Sequence, residues 1–169
     1  MAFLSLLISK SYILLKKGFQ MKEKKWQSLL TVGNNSFHQG QFGQAEFSYR
    51  EAYKLLAFSY RDNPLCSETL IAWICTCHNL ATLYETIEKF NLALKFLTVP
   101  YEYLLEIVNS DNDTGESKLI AFNGLRLTLS PIFTLAKKYP VCQSCLESYS
   151  QTNRLLTQNF LDKSFLTTH

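Results

Sequence analysis

Along the chain, apolar residues return every three or four positions, and alternation with period two is nowhere sustained. That is the signature of amphipathic helices. Trp26, Leu29, Leu30, Gly33 and Phe37 mark one helix face, and Phe42, Ala45, Tyr49, Ala52 and Leu56 a second one beyond Gly40. Gly40 can take a positive φ and so end the first helix. Large residues alternate with Gly33, Ala45 and Ala52, which lets two antiparallel helices approach closely there. Asp62, Asn63 and Pro64 stop this hairpin, and Ser67 with Glu68 starts the next. Leu70, Trp73, Ile74, Cys77, Leu80, Ala81, Tyr84 and Ile87 hold the helical period for more than four turns, predicting the longest and most buried helix. Its partner carries Phe90, Ala93, Leu94, Leu97, Tyr101, Leu104 and Val108, with a bend expected at Pro100. After the turn-rich stretch from Ser110 to Gly115, Leu119, Phe122, Leu125, Leu129, Ile132, Phe133 and Ala136 mark a fifth helix, bent at Pro131. Cys142, Leu146, Tyr149, Asn153, Leu156 and Phe160 mark a sixth. The expected fold is all-α: about six helices in three hairpins, near residues 23–61, 66–109 and 116–160, within a domain spanning 22–161. A tail over 162–169 should fray.

Gly33, Asn34, Gly40, Phe42, Ala45, Tyr49 and Ala52 fall in register with the pattern of the tetratricopeptide repeat family, which the stretch from Gly33 to Leu56 resembles. The segment from His78 to Leu94 is similar to the same pattern, with Ala81 in place of Gly33 and Ala93 in place of Ala45. There Glu88 stands where the pattern has glycine. Gly33 and Ala81 are 48 residues apart, longer than the ordinary repeat of about 34. The resemblance covers roughly Trp26 to Val108, and the third hairpin is expected to be a degenerate repeat or a cap. It implies antiparallel hairpins stacked as a short solenoid, and a non-catalytic adaptor that binds a protein or peptide in a concave groove. The run from Cys77 to Ala81 in a long helix, with the later Pro and Cys pair, is similar to small bacterial proteins with degenerate repeats of this kind. That second resemblance implies a bacterial, cytoplasmic protein.

Composition agrees with a globular helical chain: 169 residues, 47% apolar and 18% charged, with four Pro and six Gly. The net charge of +3 is unevenly spread. Lys10, Lys16, Lys17, Lys22, Lys24 and Lys25 make the part before Trp26 basic, leaving the body slightly acidic. With the basic residues gathered before Trp26 and not on a folded face, no nucleic-acid partner is expected. Residues 1–21 form an apolar leader, interrupted by Lys10 and lacking a basic start or a clean cleavage site. It is read as residues upstream of a start at Met21, with a docked helix or a membrane-surface helix edged by Lys16 and Lys17 as alternatives. No stretch is expected to insert stably in a membrane. A homodimer is left open.

Motifs for catalysis are absent: no metalloprotease helix, phosphate-cradling loop, dinucleotide loop or nucleophile elbow, so no enzyme and no cofactor are expected. His38 and His78 have no sequence partners for a triad. Among five cysteines, Cys142 and Cys145 have the spacing of half a zinc site or a redox pair, and Cys75 with His78 share a helix face. Such a set defines a small zinc-stabilised or redox-active protein, but buried, reduced thiols are the plainer expectation. Relatives that clamp a peptide carboxylate project asparagines and cations from the first helix of each repeat. By that resemblance the groove would use Asn34, Phe37, His38, Asn79 and Arg126, although the cation expected at Leu30 is missing. Both asparagines can equally be structural, bonding neighbouring groups. A chaperone for an exported partner is the second functional reading.

Overall fold

A computed structural model describes residues 25–166. The leader at 1–21 lies outside the described residues, as does the end of the tail at 167–169. Six α-helices and no strand are present among the described residues. They are α1 (residues 25–38), α2 (Phe42–Asp62), α3 (Ser67–Thr86), α4 (Phe90–Asn109), α5 (Gly115–Ala136) and α6 (Gln143–Leu166). The chain divides into two compact units, Met1–Ser59 and Tyr60–His169, with the division inside the last turns of α2.

In the first unit the α1–α2 hairpin closes on the small residues. Ala45, Ala52 and Leu56 are fully buried, and Tyr49 nearly so. Gly33 faces the Tyr49 ring so closely that a Cβ there would lie 2.6 Å from Cε1. The turn is a Schellman motif. Gly40 takes φ +72°, its N–H donates to the Phe37 carbonyl, and the Gln41 N–H donates to the Ser36 carbonyl at 2.9 Å.

The second unit repeats that turn between α3 and α4. Here Glu88 holds the left-handed position at φ 58°, its N–H donating to the Glu85 carbonyl and that of Lys89 to the Tyr84 carbonyl. The pattern's glycine is replaced, but the backbone still makes the same turn. After it, α3 and α4 run antiparallel. Tyr84 stacks on Phe96 near the turn, and Trp73 meets Tyr103 edge-on at 5.6 Å towards the other end. Tyr60 adds its ring to this far cluster, at 6.1 Å from both Trp73 and Tyr103. Arg61 lies 5.8 Å over the Tyr103 ring.

α4 packs against both α3 and α5. The third approach, α5 onto α3, depends on Gly124: a Cβ there would meet Leu70 Cδ2 at 2.9 Å and Leu104 Cδ1 at 3.0 Å. Leu70, Ile74 and Leu104 are buried on the facing helices, and Ala121, Leu125, Leu129 and Ile132 complete the layer from α5. α6 meets α4 through Tyr101, whose ring faces Tyr149 edge-on at 5.0 Å and whose hydroxyl bonds to Thr152 Oγ1 at 2.9 Å.

One expectation changes. The longest helix is α6, with 24 residues, whereas α3 has 20, of which ten are buried. Its periodic stripe was long because it continued into the turn at Ile87. The third hairpin, expected to be a degenerate repeat or a cap, turns differently from the first two: α5 ends with Lys137 in ordinary helical geometry. By length and composition alone, α5, at 22 residues, is long and apolar enough to cross a membrane. Its apolar residues are shared between a buried seam and exposed Leu119 and Leu127, so the helix is apolar on several faces.

Candidate functional site

α3 and α5 run in the same direction, as the neighbours of their ends show. Leu70 and Ile71 lie beside Ile120, Gly124 and Leu127, while His78 to Glu85 lie beside Ser130 to Leu135. Between them lies a furrow. Ile71, His78, Thr82 and Glu85 line it from α3 and Ile120, Leu127, Pro131 and Thr134 from α5. Both sets follow the same interval, one residue followed by others seven, eleven and fourteen further on, which on a helix is one continuous stripe. The furrow has two hollows. The one near the starts of the helices, about 100 Å³, is apolar apart from Ser67 and Asn123. The one near their ends, about 320 Å³, is lined by His78, Thr82, Glu85, Ser130 and Thr134, with Leu97 of α4 contributing an apolar wall.

Pro131 lacks an N–H, so it cannot donate to the Leu127 carbonyl one turn back. The Thr134 hydroxyl donates to the Ser130 carbonyl at 2.9 Å. Burial holds the His78 imidazole below its ordinary pKa near 6.5, so it is neutral at neutral pH, and its Nε2 is buried without a hydrogen-bond partner. At the rim, Lys138 Nζ lies 2.8 Å from Glu85 Oε1, and that bond and charge raise the lysine's pKa. The hollow therefore offers neutral hydrogen-bonding groups beside one closed ion pair.

The residues named from sequence fall in both units. Asn34, Phe37 and His38 lie on α1. Asn34 Oδ1 accepts the Tyr49 hydroxyl at 2.8 Å, bracing the hairpin. Phe37 touches the His38 ring edge-on at 6.0 Å and Phe42 at 5.7 Å. In the second unit, Asn79 is half-buried on α3 and Arg126 exposed on α5. Each is one residue, or about 100° of helix turn, away from a furrow residue, His78 and Leu127 respectively. Ile71, Thr82, Leu127 and Thr134 were missed as furrow residues. A glycine inside an apolar helix, Gly124, was the available sign that α3 and α5 meet.

The expectation of buried, reduced thiols holds in part: Cys66, Cys75 and Cys77 are free thiols, and Cys142 and Cys145 are not. Only Cys77 is fully buried, and burial, with the charge of Cys75, pushes its thiol pKa far up. Cys75 is exposed, and half-buried Cys66 accepts the Thr69 hydroxyl at 3.1 Å. Cys142 and Cys145 are joined in a disulfide at the start of α6. Their sulfurs are bonded to each other. No group of three or more His, Cys, Asp or Glu that could hold a metal ion occurs among the described residues, so Cys75 and His78 do not join the pair in a four-ligand site.

Fold and site together define an all-α helical protein with a furrow between two parallel helices. The chain belongs to the family described as "Protein of unknown function (DUF2753)", whose profile matches residues 24–167. No curated protein and no solved structure matches it.

Proposed function

We propose that the protein is a non-catalytic adaptor that holds a segment of a protein or peptide partner in the furrow between α3 and α5. One observation supports this above the rest: two matched stripes, on parallel helices, line two hollows along one seam, one apolar and one polar. Ile71 and Leu127, 49% and 46% exposed, offer an apolar anchor point. His78, Thr82 and Thr134 offer hydrogen-bonding groups further along. An extended segment with an apolar side chain followed by backbone or polar groups suits that sequence of surfaces. The resemblance to tetratricopeptide repeats points the same way, since α3 and α5 would be first helices of successive repeats.

The test is selection of displayed random peptides on the full chain. Peptides carrying an apolar anchor should be enriched and should lose binding to Ile71→Glu with Leu127→Glu, while circular dichroism shows the helices intact. Enriched peptides that bind the double variant unchanged would place the binding surface elsewhere.

A further inference from the structure

We propose that Cys142 and Cys145 form a dithiol–disulfide exchange site whose substrate is a cysteine pair of another polypeptide. This goes beyond the adaptor reading and does not rest on it, and it confines the word non-catalytic to the furrow. The two sulfurs are differently placed. Cys142 is exposed, immediately ahead of a 24-residue helix, while Cys145 is half-buried within its first turn. Cys142 Sγ accepts the Cys145 N–H at 3.2 Å and lies 3.5 Å from Ser144 Oγ. The first turn of α6 carries no acidic residue. The Cys145 N–H and the positive end of the helix stabilise a thiolate at that position, which lowers a cysteine pKa.

From the disulfide form, a substrate thiolate attacks the exposed Cys142 sulfur. The bond between Cys142 and Cys145 breaks, a mixed disulfide forms on Cys142, and Cys145 leaves as a thiolate that takes a proton from water. The second substrate thiolate then attacks its own partner sulfur in the mixed disulfide, closing the substrate disulfide and expelling Cys142 as a thiolate. Two electrons pass from the substrate dithiol to the pair. Cys142 is the better leaving group because the helix start stabilises its charge, and lower-pKa thiols leave faster. The reverse sequence reduces a substrate disulfide. A merely structural role is poorly served, because a ring closed over so few residues removes little freedom from the unfolded chain.

The test uses the full chain, Cys142→Ser and Cys145→Ser, with melting curves to establish that all are folded. Reduced Cys145→Ser exposed to oxidised glutathione should become glutathionylated on Cys142 at least ~3-fold faster than Cys142→Ser does on Cys145, by peptide mass mapping. With dithiothreitol as reductant and insulin as the protein disulfide, the wild-type chain should accelerate insulin reduction and Cys142→Ser should not. Equal or slower modification of Cys142, or insulin reduction indifferent to the wild-type chain, overturns the proposal.

Discussion

A methyl group on Gly33 would fall 2.6 Å from Tyr49 Cε1, on a ring whose hydroxyl is already held by Asn34 at 2.8 Å. The ring is buried and tethered at its far end, so it has little room to retreat. Gly33→Ala should therefore destabilise the protein by ~1–3 kcal/mol, the usual range for overpacking. Gly124→Ala should cost less. Its added carbon meets the terminal methyls of Leu70 and Leu104, which can rotate, and alanine gains up to ~1 kcal/mol over glycine in a helix. Urea midpoints of the two variants decide the order.

Asn34 and Tyr49 give a direct measure of a structural role. If the amide chiefly braces α1 against α2, Asn34→Ala and Tyr49→Phe should each lose the same bond, and the double variant should lose it only once. The coupling energy expected is ~0.5–1.5 kcal/mol. Additive effects in a double-mutant cycle would remove the bracing role and return Asn34 to the list of groups available for a ligand.

The α3–α4 turn carries its own cost. Glu88 sits at φ 58° where the equivalent α1–α2 turn uses Gly40. A side chain at that position is disfavoured by ~1–2 kcal/mol, part of which glycine returns through its greater freedom in the unfolded chain. Glu88→Gly should raise stability by up to ~1 kcal/mol, or roughly 2–4 °C in melting temperature for a chain of this size. An unchanged or lower melting temperature would mean that the glutamate gains as much from its surroundings as its backbone loses.

Both turns were legible in the sequence because each hairpin concentrates its small residues where its helices touch. Gly33, Ala45 and Ala52 stand out against aromatic neighbours, and Ala81 and Ala93 repeat two of those positions 48 residues later. Legibility was partial on α5. Counting apolar residues selects the buried Leu125, Leu129 and Ile132 together with Leu119, Phe122 and Phe133, but the buried stripe also runs through Ser117, Ala121, Gly124 and Thr128. Those residues are small or satisfy their hydroxyls locally, as Thr128 does by donating to the Leu125 carbonyl at 2.8 Å. The furrow was displaced for a related reason. Periodicity says that α3 has an inner face, but only the neighbouring helix decides whether His78 or Asn79 looks into the gap, and no local signal separates adjacent residues.

His78 supplies the pH dependence. Burial sets its folded pKa below the ordinary 6.5 of the unfolded chain. Between those two values the unfolded chain binds more protons, so stability rises with pH across that window. The contribution is complete above about pH 6.5 and is lost as pH falls towards the folded value. The charged groups at the same hollow, Glu85 and Lys138, are paired with each other and so leave the imidazole to titrate against its own burial. His78→Gln keeps a hydrogen-bonding side chain of similar reach but cannot titrate. Denaturant unfolding at about pH 7.5 and about pH 5.5 should show wild type losing more stability than His78→Gln between the two. A partner that bonds the neutral imidazole would weaken in parallel, with its affinity falling over the same interval in wild type and staying flatter in the variant. Equal pH profiles for the two proteins would mean that the imidazole is solvated in both the folded and unfolded chain, and that the hollow is open enough to hold it charged.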